Sequence, residues 1–310
     1  MGAIQNKKQL KPSAFKSYLQ TNLSTPPLNS YLTIAQAMDR AQTLSALVIG
    51  DGIVDEYAYV KTLGKASKEP IIAARLTHTE VFAGGVYAAV GHVEQFCGSV
   101  DTFTGSGFTV KRRFVEAERT RKLFEVHDDR PGNVQLIEPD YAAYDLVIVT
   151  DFGHGTVTQA MIEHLGAARF LAINCQTNSS NYGFNLITKY PHADYVVLDE
   201  LEARLAAHDR DGPIEGVIER LGFPLMAVTL GPAGSIGYDG RFHRAPGVAD
   251  RVVDTMGAGD AFFCCTAPLA AVGLSMPDLL RVGNAAGAIK CSAVGQKAIT
   301  RAGIERVLTS

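Results

Sequence analysis

The feature that most constrains this chain is a set of short apolar runs that do not alternate with polar residues and that end in Gly or Asp. Leu47-Val48-Ile49 runs into Gly50-Asp51, Leu146 to Val149 into Thr150-Asp151-Phe152-Gly153, and Leu225 to Leu230 into Gly231. Phe170 to Ile173 and Tyr195 to Leu198 have the same character. A strand with one face in water alternates; a strand covered on both faces does not, and a parallel sheet flanked by helices is covered on both. Helical stretches lie between the runs. One is expected to open at Thr156, with Gln159 three residues on completing a capping box, and to stop at Gly166. Strand and helix signals in this order predict an α/β chain with a doubly wound, mostly parallel sheet flanked by helices. Ligands of such sheets bind beyond the carboxyl ends of the strands, where Gly and Asp concentrate here.

Two stretches break the rhythm. Tyr57 to Val81 and Val110 to Val126 carry strand-like residues with charged alternation, which suggests a small β-sheet outside the main one. Residues 1–44 are polar and interrupted by Pro26-Pro27; they read as an N-terminal extension ahead of a domain over 45–310, with Tyr31 to Gln42 as a short amphipathic helix.

Composition removes several function classes. With 29 basic and 32 acidic residues the net charge is −3, so there is no electrostatic footprint for nucleic acid. The densest basic stretch, Lys111-Arg112-Arg113 through Arg119, Arg121 and Lys122 with Glu116 and Glu118 between, reads as a solvated strand pair. Cys97, Cys175, Cys264, Cys265 and Cys291 form no C-x-x-C and no metal-like spacing with histidine, which fits buried thiols in a reducing, cytoplasmic setting. Met1 to Gln20 has no apolar core and is not read as a signal peptide. The most apolar run, Ala261 to Met276, contains Pro268 and falls short of a ~20-residue membrane span. It reads as a buried helix, so no membrane partner is expected.

The motif that carries chemistry is Asp254-Thr255-Met256-Gly257-Ala258-Gly259-Asp260 ahead of that apolar helix. Gly257-Ala258-Gly259 can bring consecutive backbone amides close to an anion, and the following helix adds its positive end. Asp260 then lies in the first helical turn. A carboxylate beside a bound phosphate repels it, and makes sense where it takes a proton from an attacking hydroxyl. No G-x-x-x-x-G-K-[ST] loop competes, and Gly105-Ser106-Gly107 lacks the third glycine of a dinucleotide fingerprint.

Asp254 to Asp260 resembles the D-T-x-G-A-G-D signature of ribokinase-like (PfkB-type) carbohydrate kinases. Gly50 to Tyr57 resembles that family's first strand and its sugar-binding aspartate, here Asp55. Phe82-Ala83-Gly84-Gly85 resembles its di-glycine substrate turn, and Asp151-Phe152-Gly153-His154-Gly155 the D-Y-G-K-G segment of the heptose-phosphate kinase branch. Thr229-Leu230-Gly231-Pro232-Ala233-Gly234 resembles the nucleotide-site T-x-G-x-x-G segment, and Gly283-Asn284 through Gly295 the final helix and loop near the adenine and monovalent-cation sites. The resemblance runs from about Leu47 to Thr300, and its segments keep the family's order.

The resemblance implies a ribokinase-like kinase domain with a small β-lid, ATP as phosphate donor, Mg²⁺, and a K⁺ ion held in part by Asp254. It makes Asp260 the general base and Gly257, Ala258 and Gly259 the anion hole. Asp55 and the amides at Gly84 and Gly85 would orient sugar hydroxyls, and Thr229, Gly231, Gly234, Asn284 and Gly295 would line the nucleotide site. The family commonly places N-x-x-E at the magnesium region; here Glu202 matches, and Asp199 stands in place of the asparagine. The asparagine expected after the di-glycine is missing, and His92 is the candidate for its contact. His154 stands where the heptose branch has lysine; it is either a pocket residue or a surface histidine. Asn174 to Tyr182 either lines the pocket or bridges to the next helix. Arg119, Arg121 and Lys122 in the lid would meet a phosphate already on the sugar. A homodimer through the lid follows from the same likeness. The leading expectation is thus an ATP-dependent sugar or sugar-phosphate kinase. A non-catalytic nucleotide- or sugar-binding module on the same fold and a nucleoside kinase are the alternatives.

Overall fold

The computed structural model describes residues 32–118, 121–132, 136–293, 295 and 298–309. The main sheet has eight strands: β1 (Ser45–Gly50), β4 (Ser99–Phe103), β7 (Leu146–Asp151), β8 (Leu171–Cys175), β9 (Tyr195–Asp199), β10 (Met226–Thr229), β11 (Ser235–Tyr238) and β12 (Phe242–Ala245). Their spatial order is β12-β11-β10-β9-β8-β7-β1-β4. From β4 to β10 every pairing is parallel, and β11 and β12 close one edge antiparallel.

The unalternating runs have the expected cause. Ala46 and Val48 of β1 point into one apolar layer, Leu47 and Ile49 into the other, and all four are essentially inaccessible. One layer is covered by α1 (Ile34–Ala41), α2 (Val86–Val93), α6 (Ala258–Ala271) and α7 (Met276–Cys291). The other is covered by α3 (Gln159–His164), α4 (Glu200–Ala207) and α5 (Ile214–Leu221), and α8 (Arg301–Thr309) packs on α7. Every residue from Ala261 to Ala270 is buried, so α6 is apolar all round because it is enclosed all round.

Two sequence expectations shift. The folded body begins by Ile34 rather than at residue 45. Helix α1 carries a capping box between Thr33 and Gln36, and it drives Ala37, Met38 and Ala41 fully into the core. The rest of the expected extension, residues 1–31, lies outside the described residues. Helix α3 is capped by Thr158, whose Oγ1 accepts the Met161 amide at 3.2 Å, not by Thr156. The Thr156 amide is already held by Asp51 Oδ1 at 2.9 Å.

The off-rhythm segments form a separate four-stranded sheet, ordered β3-β2-β5-β6, from β2 (Gly52–Lys65), β3 (Ile72–Gly85), β5 (Phe108–Glu116) and β6 (Arg121–Arg130). It leaves the main sheet at the carboxyl end of β1 and folds over the ends of β7 to β10 as a lid. Two glycines let β3 return to its root. Gly85 has φ +55 and caps α2, and a Cβ there would collide with the Asp51 carbonyl. A Cβ on Gly84 would collide with the Asp55 carboxylate.

Candidate active site

Between the lid and the carboxyl ends of the parallel strands lies a cleft of about 1100 Å³. Its floor is the start of α6. Gly257 adopts φ +76, which turns the chain into the helix and lines the cleft together with Ala258, Gly259 and Asp260. The Ala258 amide folds back on the Thr255 carbonyl at 3.2 Å. The amides of Gly259 and Asp260 belong to the first helical turn, which has no carbonyl partner within its own helix. Nothing lies within 4 Å of the position a Gly259 Cβ would take, so this turn is open toward the cleft.

Asp260 sits half-buried at that floor. Burial pushes its carboxyl up to about 6, and the charge of Asp55 adds to the rise, while Gln176, Lys111 and Lys290 act against it. Gln176 Nε2 donates to Asp260 Oδ1 and also to Asn174 Oδ1 at 2.7 Å; the Asn174 amide donates to the Val197 carbonyl at 2.8 Å. The carboxyl ends of β8 and β9 therefore orient the acid on α6. The polar stretch from Asn174 resolves into both of its readings. Gln176 to Ser179 line the cleft, while Asn178 and Asn181 tie the loop to the Phe152 carbonyl at 2.7 and 2.8 Å.

The opposite wall is the inner face of the lid. Asp55 on β2 pairs with Arg113 on β5, and both are buried; Arg113 also reaches Glu125 on β6 at 2.6 Å. Lys111, two residues before Arg113 and so on the same face, is buried with its ammonium 5.8 Å from the centre of the Phe152 ring. Burial holds the Lys111 ammonium below the usual lysine range. Lys111-Arg112-Arg113 is therefore not a solvated strand pair: only Arg112 faces outward, to Glu56 at 2.6 Å. Strand alternation within the basic run was the signal for this split. Phe152 is placed by Asp51, whose carboxylate accepts the amides of Phe152, His154 and Thr156 at 3.0, 3.2 and 2.9 Å.

At the far end of the cleft lie Thr229, Gly231, Gly234, Asp199, Glu202 and Asn284. Gly231 (φ +58) and Gly234 (φ +93) close a tight turn in which the Leu230 amide bonds the Gly234 carbonyl at 2.8 Å. The Asn284 amide donates to the carbonyls of Ala245 and Pro246 at 3.1 and 2.9 Å, so it shapes the 245–249 wall rather than presenting a free polar group.

Four of the expected site residues are not on the cleft surface. Gly84 underlies Asp55. Gly295 (φ +84) packs its backbone on the Phe82 ring. His92 is 1% exposed, and its Nδ1 accepts the Ile299 amide at 3.1 Å; burial, then the charge of Lys290, pulls its pKa down to about 4. His92 is thus a neutral core histidine, which corrects its expected role as a sugar contact. Asp254 lies just behind the cleft. Lys122 is drawn to it from β6, and Arg121 is exposed, so neither joins the cleft wall; Arg119 lies outside the described residues. His154 lines a neighbouring chamber of about 860 Å³ together with Gly105, Ser106 and Gly107.

Residues 153–301 match the model for the pfkB family carbohydrate kinases. The chain carries a pfkB-family carbohydrate kinase domain. It is 23% identical over 322 residues to the bifunctional protein HldE of Pelobacter propionicus, covering 88% of this chain and 64% of that protein. It is 25% identical over 310 residues to the same-named protein of Granulibacter bethesdensis, covering 83% and 63%. The chain thus spans less than two thirds of these relatives' length. Among solved structures, the fold matches a ribokinase from Thermotoga maritima with a TM-score of 0.67 at 18% identity, covering 86% of this chain and all of that one. An Arabidopsis thaliana ribokinase complexed with ribose and ATP matches with a TM-score of 0.66 at 16% identity, covering 86% and 99%.

In this kinase domain the two ions that the family implies fare differently. Asp199 and Glu202 bring hard carboxylate oxygens to the far end of the cleft. Glu202 accepts the amides of Thr177 and Asp199 at 3.0 and 2.8 Å, and burial, with Asp199 beside it, raises its carboxyl to about 8. A buried carboxylate raised this far is a group that a divalent cation would return to its charged form. No group of three or more His, Cys, Asp or Glu among the described residues forms a metal cage. The pair therefore fits a hydrated Mg²⁺ carried largely by phosphate oxygens. A monovalent metal ion at Asp254 does not fit. Its carboxylate already takes the Lys122 ammonium at 2.9 Å, the Tyr57 hydroxyl at 3.3 Å and the Met256 amide at 3.2 Å. Burial opposes its charge, but these donors outweigh it and hold Asp254 below the usual carboxylate range. No helix among the described residues is long and apolar enough to cross a membrane, and all five cysteines are free and buried.

Proposed function

We propose that this chain is an ATP-dependent kinase whose acceptor is a hydroxyl of an anionic sugar, a sugar phosphate. The observation that carries the reading is the placement of Asp260. It stands at the amide-rich turn of α6 on the floor of the cleft, opposite a lid face carrying buried Lys111 and Arg113. A neutral sugar gives no reason to bury an unpaired ammonium there, whereas a phosphate on the acceptor would answer its charge.

Asp260 accepts the proton of the attacking hydroxyl as its oxygen bonds the γ-phosphorus. The bond from that phosphorus to the β–γ bridging oxygen breaks, and the electron pair leaves with ADP. The open amides of the first α6 turn, with the helix dipole behind them, stabilise charge on the transferred group. Mg²⁺ at Asp199 and Glu202 would neutralise phosphate charge. Asp55 offers its remaining oxygen to acceptor hydroxyls. The lid excludes water, which would otherwise compete as acceptor. The likeness of Asp151 to Gly155 to the segment of the heptose-phosphate kinase branch directs the choice of sugar toward heptose phosphates.

The outer face of β3 leaves Ile72, Leu76 and Val81 more than half exposed, and we place a second copy of the chain there. Size measurement in solution tests this; a monomer at micromolar concentration overturns it.

The functional test is ATP consumption with Mg²⁺ over paired neutral sugars, their phosphates and adenosine. Turnover restricted to sugar phosphates is expected. Preference for the neutral sugar or the nucleoside overturns the acceptor assignment, and ligand stabilisation without turnover overturns the kinase assignment.

A further inference from the structure

Lys290 acts on the charge of Asp260 but does not line the cleft. It occupies the last turn of α7 and is 4% exposed, and its ammonium makes no hydrogen bond or ion pair with any described residue. Taking an ammonium out of water costs several kcal/mol unless opposite charge answers it, so a lysine at this depth needs a reason. Its neighbours supply one. The carbonyl of Cys291, the next residue, accepts the amides of Val253 at 2.7 Å and Asp254 at 3.2 Å, which fastens the end of α7 to the start of the Asp254–Asp260 segment. The carboxylates of Asp254, Asp260 and Asp55 all act on the Lys290 charge. The histidine beside it, His92, is neutral and has its Nε2 buried without a partner. One internal ammonium therefore acts on three carboxylates, in addition to the Arg113 and Lys122 that pair with Asp55 and Asp254, at the corner where the family likeness calls for a metal ion and where the ligand oxygens of Asp254 are already taken.

We propose that Lys290 is a built-in cation that replaces the monovalent metal ion, so that the active site needs no K⁺. The ammonium carries the same charge as K⁺. Being tethered, it is present at full occupancy without the entropy loss of capturing an ion. It holds the Asp254 end of the α6 turn against the repulsion of Asp55, Asp254 and Asp260, and so acts as a positioning residue for the anion-binding amides.

The test compares KCl with tetramethylammonium chloride at equal ionic strength, for the unmodified chain, Lys290→Met and Lys290→Arg. The unmodified chain is expected to show the same melting temperature and the same turnover in both salts. Lys290→Met should melt lower in tetramethylammonium, and K⁺ should raise its melting temperature and recover at least about tenfold in turnover, the scale of one interaction between charges across a low-dielectric site. Lys290→Arg keeps the charge and should stay insensitive to K⁺. Activation or stabilisation of the unmodified chain by K⁺ overturns the proposal, as does a Lys290→Met protein indifferent to K⁺. If Lys290→Met does not fold, the unmodified chain in the two salts decides alone. The melting measurement needs no substrate, so a failed search for the acceptor leaves this result standing.

Discussion

On the floor of the cleft, Gly257, Ala258, Gly259 and Asp260 are consecutive in the chain; on the lid, Asp55 and Arg113 meet from strands β2 and β5, and Glu125 joins them from β6. The floor is one helical turn, and its geometry follows from a glycine in the left-handed region and the start of α6. The lid face is assembled by register: Asp55 opposes Lys111, and Arg113 opposes Glu125. The two sides also differ in what holds them. The floor is backed by a helix buried along nearly its whole length, whereas β3 at the lid edge is exposed for most of its run. The chemistry should therefore depend on the floor almost independently of stability, while the lid couples recognition to folding.

Asp260→Asn makes the sharpest break between the two sides. It should lower turnover by about a thousandfold while nucleotide binding and melting temperature stay near their original values. Turnover within a few-fold of the unmodified chain removes Asp260 as the base.

Arg113→Ala should do what no floor substitution does and weaken both recognition and folding. It strands the Asp55 carboxylate in a buried position, which costs on the order of 3–5 kcal/mol in urea unfolding. A loss below about 1 kcal/mol would show the lid to be a loosely attached flap.

The pH profile tests how the end of β8 tunes the acid on the floor. Asp260 must be ionised to accept a proton, and its carboxyl lies near 6, so kcat/KM should be level above that value and fall as pH drops through it. Gln176→Leu removes a hydrogen bond that favours the ionised form, so the acid limb should move to higher pH. An unmoved limb would mean that this hydrogen bond does not help set the value.

Lys122→Met is the smallest change. The Lys122 ammonium is partly exposed, so loss of its contact with Asp254 should cost no more than about 1 kcal/mol in unfolding. Its visible effect should be faster proteolysis within residues 121–130, since this contact joins the lid to the segment that precedes α6. Unchanged proteolysis would mean that the contact does not hold the lid closed.

Much of the floor and far end of the cleft was legible because its information is local. The Asp254–Asp260 segment, the turn from Thr229 to Gly234 and the Asp199–Glu202 pair each shape a few adjacent residues, and all three reach the cleft. The lid face was not. The run Lys111-Arg112-Arg113 looks solvated until pleating sends Lys111 and Arg113 inward and Arg112 outward, and only pairing with β2 shows that inward means toward Asp55. His92 failed for the opposite reason: its distance after the di-glycine suggested a substrate contact, but helix α2 turns it into the core, where the Ile299 amide meets it from 207 positions further along the chain.

The amino-acid order by itself determined that this chain folds as a flanked parallel sheet and that a glycine-turned helix start with an acid in its first turn opens α6. Apolar periodicity, glycine conformations and helix starts are properties of a few neighbouring residues. Tertiary structure alone decided which charges face that acid. It placed Asp55, Lys111, Gln176 and Lys290 around Asp260, and it gave Asp254 to Lys122 and Tyr57. The reason is electrostatic: the cost of a charge depends on burial and on partners a few ångströms away, and those partners come from strands and helices that the sequence keeps far apart.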